Sequence, residues 1–423
     1  MVQVLPLSGW RFDLSQVGAL SEVLAPNCRA MSEDLQRTLY RQHPCNVVRL
    51  IANREEPGDV SVSERAQRAD DFFRLWRKEG ILVPEHDLAF YVVETTYESV
   101  EGRKSLWSVV GRLEFSASSN SASASGSGNE PSLPVAPCEN ETQRLLELRQ
   151  VTRGDFSPVV ILASSPASTG DETETDLCEL LEKSVRQMTP TECLTDSGIR
   201  HQLWPVMNVS LRNQISLAFA SSQLTVVDGT EYYLAAKHHA ADCRRSEATS
   251  GEHDATQTVL VRLIPAEQPD LVVLPDLRKS SQRLTSEQLT TQLTAAGYQC
   301  QRVGDEPYAC LDALELAALN EQQPCFAVGT TDGIWHLAFR SDSRATSEIA
   351  ELDTQPIHWM ETTESAADVL QRLANKATRD VMVVRPARSV EDIIRAEVGT
   401  LTCHETQIAP ALPSGLVLSS LDR

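Results

Sequence analysis

The sequence has no apolar run of the roughly 20 residues needed to cross a membrane. Its first residues, MVQVLPLSGWRFDLSQ, have neither a basic start nor a long apolar stretch, which argues against a secretory signal. Ten cysteines are present, but none form the C-x-x-C pairs of a zinc ribbon. A disulfide framework is not expected in a long chain that is not exported. We therefore expect a cytoplasmic protein with reduced thiols.

Positive charge is also scarce, and the short motifs of large enzyme families are absent. The chain has 38 Lys and Arg against 59 Asp and Glu, a net charge of −21. This balance opposes binding to nucleic acid and to anionic membranes, neither of which we expect as a partner. The sequence has no P-loop, dinucleotide Gly-rich turn, zinc-protease helix or G-x-S-x-G elbow. The cofactor stays unknown, and the partner is an unidentified small molecule or protein.

What the sequence does contain is a mixture of strand and helix patterns. Their alternation predicts an α+β or mixed α/β fold, with mixed sheets and flanking helices. The predicted strands are NVVRLI (46–51), the hairpin of LAFYVVETTY and SLWSVVGRLEF, SPVVILA, HQLWPV, LTVV, ATQTVLVRLIP, DLVVLP, YQCQRV, the hairpin PCFAVGTTDGIWHLAFR and DVMVVRP. The predicted helices are SVSERAQRADDFFRLWRKEG, NETQRLLELRQVT, SLRNQISLAFAS, EYYLAAKHHAADCR, TSEQLTTQLTAAG, LDALELAALNEQ and ESAADVLQRLANKA.

Composition also divides the chain into regions. They are an N-terminal α+β region (1–115), a Ser/Gly-rich stretch (116–132), a central α+β region (133–280), a C-terminal α/β region (281–403) and an irregular tail (404–423). The stretch 116–132 is too polar to bury a core, so we expect a flexible linker or exposed insertion whose deletion leaves stability unchanged. A second polar insertion covers 164–176.

The stretch VVDGTEYYLAAKHHAAD, residues 226–242, predicts a strand that turns tightly into a helix. Such a junction can bind a phosphate. The first N–H groups of a helix lack intrahelical partners, and a glycine lets the backbone approach the ligand. Asp228, Gly229, Thr230 and Tyr233 are therefore candidate residues of a phosphate-binding turn. The alternative is a tight strand–helix connection that binds nothing.

The order of these segments resembles the domain of unknown function 1015 family of uncharacterised bacterial and archaeal proteins, over roughly residues 3–280. The matching segments are NVVRL, AFYVVETTY, RLLELRQVTRGDFSPVVIL, RHQLWPV, VVDG and LVVLP. The family's strand–helix turn reads Asp-Gly-His-His-Arg-Tyr. That turn is similar to one in ParB/sulfiredoxin-like folds, which include nucleotide-binding proteins and a free-serine kinase. The resemblance thus implies a ParB/sulfiredoxin-like strand–turn–helix at 224–242.

The chain departs from the family at the polar positions. Asp228, Gly229 and Tyr233 match, but Thr-Glu-Tyr at 230–232 replaces His-His-Arg. The backbone half of an anion site is kept, and its cationic half is lost.

Three further family motifs are also altered. The family's Pro-His-Glu keeps Pro137 and Glu139 but has Cys138 in place of the His. Its Leu-Pro-Thr-His-Arg becomes LPDLR, which keeps Arg278, and its Pro-Pro-Tyr-Asp becomes PNCR at 26–29.

The retained polar residues Asp228, Glu139 and Arg278 are the catalytic candidates. Glu139 can be a general base or a metal ligand, or simply a solvated residue at a helix start. Cys138 has no assignable base beside it, so a nucleophilic role is not favoured.

Metal binding is not predicted from these residues alone. His239 and Cys243 have the i, i+4 spacing of ligands on one helix face, but no convincing further ligand follows, so we predict no metal site. A bound Mg²⁺ would change the electrostatics, because Asp228, Glu231 and Glu139 could then serve as its ligands.

Two functional hypotheses follow. The first is a diverged binding or interaction protein that keeps an enzyme-like fold but has largely lost its His/Arg site. The second is a small-molecule kinase-like enzyme, nucleotide-dependent and acting on a substrate such as serine, with a rewired site. The missing cationic residues favour the first hypothesis.

Overall fold

The computed structural model describes residues 3–26, 31–59, 61–99, 102–116, 130–165, 176–195, 198–246, 254–280, 283–295, 297–305, 307–319, 325–340, 359–361, 381–403 and 405–422. Most of the predicted linker, most of the second insertion and the helix predicted from ESAADVLQRLANKA lie outside these residues.

The chain divides into two compact units. Unit 1 contains Met1–Asn27, Glu33–Val272 and Val390–Arg423, and unit 2 contains Cys28–Ser32 and Val273–Ser389. The larger part of unit 2 is therefore inserted into the sequence of unit 1. Among the described helices, none combines the length and apolar character that a membrane crossing requires.

Most of the predicted strands before residue 274 are present. The strands of this part are β1 (Val4–Leu5), β2 (Trp10–Phe12), β3 (Leu82–Pro84), β4 (Phe90–Ser99), β5 (Gly102–Glu114), β6 (Gly154–Asp155), β7 (Val159–Ser164), β8 (Thr191–Leu194), β9 (Arg200–Val206), β10 (Gln223–Asp228), β11 (Thr258–Pro265) and β12 (Val272–Val273). Of these, β1, β2, β3, β6 and β8 were not predicted from the sequence. The strand predicted from DLVVLP is reduced to the two residues of β12.

The predicted helices of this part are also confirmed, with five further helices that sequence patterns did not show. They are α1 (Leu14–Val17), α2 (Leu20–Val23), α3 (Glu33–Gln42), α4 (Val48–Ile51), α5 (Val62–Lys78), α6 (Glu139–Thr152), α7 (Leu177–Val185), α8 (Val209–Ala220) and α9 (Thr230–Ser246). Of these, α7 begins at the end of the second polar insertion, where Asp176 caps it by accepting from the backbone of Cys178 and Glu179.

The strand predicted at 46–51 is wrong, because this segment forms α4. The Asn46 side chain explains the change: its Oδ1 accepts from Val48 N at 3.0 Å, and its Nδ2 donates to Leu24 O at 2.9 Å. These bonds favour a helical turn over an extended strand. The apolar residues Val47 and Leu50 are still fully buried, so the hydrophobic pattern indicated burial and not a strand.

Eight of the described strands form one mixed sheet in unit 1. Its order is β10-β7-β11-β5-β4-β9-β8, with β1 paired to β5. Strands β7 and β11 are parallel, and the other neighbours are antiparallel. The predicted hairpin of β4 and β5 is confirmed, and the sheet unites strands from both sides of the stretch 116–132. The fold is α+β, as predicted.

The main hydrophobic core lies on one face of this sheet. Alternate strand residues such as Val92, Val109 and Val261 pack there against α7, α8 and α9, through side chains that include Leu181 and Phe219. Outside that layer α6 packs against α9 and α5 packs against α6. Helix α9 therefore packs against both the sheet and α6.

Unit 2 is a smaller α+β unit. Its elements are β13 (Asp276–Ser280), α10 (Ser286–Ala295), β14 (Tyr298–Gly304), α11 (Pro307–Leu319), β15 (Cys325–Gly329), β16 (Trp335–Arg340), β17 (Trp359–Glu361) and β18 (Met382–Arg385). Among the described residues these strands form an antiparallel sheet of order β14-β16-β15-β18-β13-β17. The predicted hairpin at Asp332–Gly333 joins β15 and β16.

The last part of the chain returns to unit 1. It contains α12 (Val390–Arg395), β19 (Ile408–Ala409) and β20 (Ser419–Ser420), and β20 pairs antiparallel with β6. Regular structure is sparse, yet the apolar side chains are buried; they include Leu412, Leu416, Val417, Leu418 and Leu421. This segment therefore contributes to the core of unit 1.

Candidate functional site

The strand–turn–helix predicted around Asp228 is confirmed. Strand β10 pairs with β7 and ends at Asp228, and α9 begins at Thr230. Gly229 has φ +79°, and a Cβ built on it would lie 3.3 Å from Val159 Cα. Glycine is required here for both conformation and space. The Asp228 carboxylate accepts a hydrogen bond from Gly229 N at 2.8 Å, which fixes the turn.

The three residues that replace the family's His-His-Arg face the protein. Thr230 is fully buried, and its hydroxyl has no hydrogen-bond partner. Glu231 is only 4% exposed. Tyr232 donates its hydroxyl to Asp155 Oδ1 at 3.0 Å. The start of α9 is therefore built into internal contacts.

Glu231 connects the turn to the N-terminus of a second helix. Its Oε1 accepts a hydrogen bond from Cys138 N at 3.1 Å. Cys138 is the N-cap residue of α6, and its own side chain makes no capping bond. A helix N-terminus attracts anions through its unpaired N–H groups and dipole. The Glu231 carboxylate thus serves as a built-in anion at the start of α6.

This contact also determines where the other candidates lie. Cys138 and Glu139 are exposed at the start of α6, so the structure brings them to the same helix ends as Asp228 and Glu231. Among the described residues, no three His, Cys, Asp or Glu side chains form a group able to hold a metal ion.

Arg278 and Tyr233 have other surroundings. Arg278 belongs to unit 2, where its Nε donates to Asp276 Oδ2 at 3.2 Å. Tyr233 lies in the hydrophobic core and packs edge-on against Phe115 with ring centroids 5.5 Å apart. Burial raises the pKa of Tyr233, which keeps its hydroxyl protonated.

A buried ion pair that the sequence did not indicate lies beneath the turn. Arg149 of α6 and Asp155 of β6 are both buried, and Arg149 Nη1 donates to Asp155 Oδ1. Arg149 Nη2 donates to Thr258 O at 2.6 Å, and Asp155 Oδ2 accepts from Leu260 N at 3.1 Å. This pair connects α6 and β6 to β11.

Two side chains of α9 complete the group. Arg149 Nε donates to Nδ1 of His239 at 3.3 Å, and the Tyr232 hydroxyl reaches the Asp155 carboxylate. We call Arg149, Asp155, Tyr232 and His239 the Asp155 cluster. Burial, and then the charge of Arg149, lower the pKa of His239 to about 4, so its ring is neutral at pH 7 and can accept. His239 thus bonds to an arginine, the opposite of the metal-ligand role considered with Cys243.

Tyr232 gives the cluster its particular electrostatics. Its hydroxyl contacts Asp155 as a neutral donor. Burial, and then the charge of Asp155, raise the pKa of Tyr232, which keeps the hydroxyl a donor. In the sequence, Arg149 lies within the predicted helix NETQRLLELRQVT, and Asp155 follows three residues after the end of that helix.

The C-terminal segment lies against the same structures. Thr406 Oγ1 donates to Val227 O at 2.6 Å, one residue before Asp228. Ala136 N donates to Leu401 O at 2.9 Å, two residues before Cys138. These contacts fix the two chain segments that precede the N-termini of α9 and α6. Sequence patterns gave no indication of them.

The comparisons with known proteins address the family and not the activity. A family described as "Protein of unknown function (DUF1015)" matches residues 4–355, which include the turn, the start of α6 and the Asp155 cluster. The chain belongs to the DUF1015 family. No curated protein sequence matches it.

One solved structure is similar to this DUF1015 protein. It is a conserved hypothetical protein from Pyrococcus furiosus, with 12% sequence identity and a TM-score of 0.33. The alignment covers 69% of this chain and 92% of that chain. A TM-score this low gives no support to a shared fold.

Proposed function

We propose that this DUF1015 protein is a binding or interaction protein in which internal contacts have replaced the anion site of an enzyme-like ancestor. One observation carries the proposal: the buried carboxylate of Glu231 accepts a hydrogen bond from Cys138 N at the start of α6. An incoming phosphate would have to displace this carboxylate or lie beside it. Both are unfavourable for a ligand with several negative charges.

The other two replacements support the same conclusion. The buried Thr230 does not present a side chain to a ligand. Tyr232 is hydrogen-bonded to Asp155 and carries no charge to bind phosphate. Two carboxylates, Asp228 and Glu231, therefore remain at a turn whose family counterpart has His-His-Arg.

Charge over the whole molecule acts in the same direction but more weakly. The net charge of −21 repels nucleotides at a distance. Salt screens this repulsion beyond about 8 Å at physiological ionic strength. The local carboxylates therefore decide the outcome.

Calorimetric titration with ADP and ATP, each with and without Mg²⁺, tests this proposal. We expect negligible heat with the wild-type protein and measurable binding by the triple variant Thr230→His, Glu231→His, Tyr232→Arg, which restores the family's side chains. The triple variant adds two units of positive charge. A matched control, Glu179→Gln with Glu182→Gln on the exposed surface of α7, changes the charge equally and is expected not to bind.

Micromolar nucleotide binding by the wild-type protein would overturn the proposal. It would favour the kinase-like alternative, which phosphate transfer from ATP to free serine would then test directly. Binding by the charge control would show that net charge, and not the turn, limits affinity.

A further inference from the structure

The second face of the unit 1 sheet carries a row of buried polar side chains. Residues alternate between faces along a strand, so Ser108 and Arg262 lie opposite the main core, to which Val109 and Val261 belong. Thr95 and His201 are direct cross-strand partners on this second face. We call Thr95, Ser108, His201 and Arg262 the Arg262 seam; each is at most 1% exposed.

Arg262 has almost no polar partner. Its Nε donates to Ser108 Oγ at 3.0 Å, but its Nη2 is buried and makes no hydrogen bond to any residue that the structure describes. Among the described residues, no Asp or Glu forms an ion pair with Arg262, whereas Arg149 is paired with Asp155. Within the described part of the chain, Arg262 is therefore a buried cation without a counter-ion.

The charge of Arg262 persists at neutral pH. Burial lowers its pKa to about 10, which is still well above 7. Leaving such a charge unpaired in a protein interior is strongly unfavourable. A guanidinium does not escape this by losing its proton, as a buried lysine does. An anion beside Nη2 would remove the imbalance.

His201 adds a neutral polar group to the seam. Its Nδ1 is hydrogen-bonded to the Thr95 hydroxyl at 3.0 Å. Burial, and then the charge of Arg262, lower the pKa of His201 to about 3, so the ring is neutral. When the Thr95 hydroxyl donates to Nδ1, the ring proton is on Nε2 and that atom is a donor. The seam therefore combines the positive charge of Arg262 with neutral polar side chains.

We propose that the Arg262 seam binds a small monovalent anion, held by the guanidinium Nη2 of Arg262. A single negative charge balances the single guanidinium, and a small ion suits a site among packed side chains on a sheet. The shared chemistry is that of a halide or a small carboxylate. This site differs in position and ligand from the helix N-termini at Asp228.

The test measures the urea unfolding midpoint as sodium chloride or sodium acetate replaces a bulky sulfonate salt at constant ionic strength. We expect the midpoint of the wild-type protein to rise and saturate with a binding anion. Arg262→Met should abolish the rise. Arg112→Met is the matched control, because Arg112 is a half-buried arginine of the same sheet that is hydrogen-bonded to Ser419 and Ser420. The Arg112→Met variant should show the same rise in midpoint as the wild-type protein.

Comparing chloride with acetate shows which class of anion the site binds. A rise with chloride alone indicates a halide site, and a rise with acetate alone indicates a carboxylate site; either supports the proposal. A wild-type midpoint independent of both anions, or an equal rise in Arg262→Met, would overturn it.

A second measurement does not depend on a folded variant. Saturable broadening of the ³⁵Cl resonance by the wild-type protein, reversed by bromide or acetate, is expected. Broadening that grows linearly with chloride and is not displaced would contradict a specific site.

Discussion

The Asp155 cluster and the Arg262 seam place the same residue type in the same protein interior with opposite electrostatic outcomes. Arg149 has a carboxylate, a carbonyl and an imidazole as partners. Arg262 has one hydroxyl. The first arginine is neutralised by the chain itself, and the second is not. A buried arginine is therefore informative about function only when its partners are counted.

The turn at Asp228 extends this comparison to helix ends. There the positive group is the N-terminus of α6, and the chain supplies its own carboxylate, Glu231. The positive groups of the Asp155 cluster and of the turn thus have carboxylate partners, whereas Arg262 has none among the described residues.

Removing the carboxylate of the Asp155 cluster should have the largest effect. Asp155→Asn leaves Arg149 as an uncompensated buried charge, so we expect a loss of about 3–5 kcal/mol in the free energy of unfolding. Urea denaturation followed by circular dichroism measures it. A loss below about 1 kcal/mol would show that Arg149 does not depend on Asp155 and would break the comparison.

Arg262→Met should behave in the opposite way. In buffer that lacks chloride and small carboxylates, replacing an unpaired buried charge by an apolar side chain is expected to be neutral or to stabilise by up to about 4 kcal/mol. The same urea experiment checks the sign. A loss of several kcal/mol under these conditions would mean that Arg262 has an internal partner.

Acid should destabilise the protein through the two buried histidines. The pKa values of His201 and His239 are lowered to about 3 and about 4, from 6.5. The unfolded chain binds protons below about pH 6.5 that the folded protein does not, so stability is complete above pH 6.5 and falls as the pH decreases toward 4. The slope is at most about 1.4 kcal/mol per pH unit for each histidine.

Urea midpoints between pH 7 and pH 4.5 measure this slope. His239→Gln and His201→Gln should each reduce it. An unchanged slope in both variants would assign the acid sensitivity to other groups.

The smallest expected effect belongs to Tyr232→Phe. This change removes one hydrogen bond to Asp155 while the ion pair with Arg149 remains, and we expect a loss of about 1.5 kcal/mol. Tyr91→Phe is a matched control, because its hydroxyl accepts from Gly9 N at 2.9 Å and lies away from the cluster. If Tyr232→Phe leaves the free energy of unfolding unchanged, the Tyr232 hydroxyl does not help to hold Asp155.

Local patterns predicted much of this fold. The hairpin of β4 and β5, the helices α5, α6, α8 and α9, and the turn at Gly229 all follow from short-range spacing and turn chemistry. The segment at 46–51 failed because burial alone does not distinguish a short helix from a strand, and the Asn46 side chain decided between them.

The candidate site was predicted in position but not in its contacts. The sequence identified Asp228, Gly229 and Cys138, yet the bond from Cys138 N to Glu231 joins residues 93 positions apart. The pairing of Arg149 with Asp155 and the isolation of Arg262 depend equally on tertiary packing. A charged residue within the apolar strand TVLVRLIP was the one local sign of the Arg262 seam.

The position of the C-terminal segment has a consequence for biosynthesis. Strand β6 is paired by Ser419 and Ser420, and Val227 O is bonded by Thr406. During translation, Thr406, Ser419 and Ser420 are therefore synthesised only after all of unit 2. Domains usually fold in order as the chain emerges. In this protein unit 2 can complete folding first, while strand β6 of a nascent unit 1 stays unpaired until Ser419 and Ser420 have been synthesised.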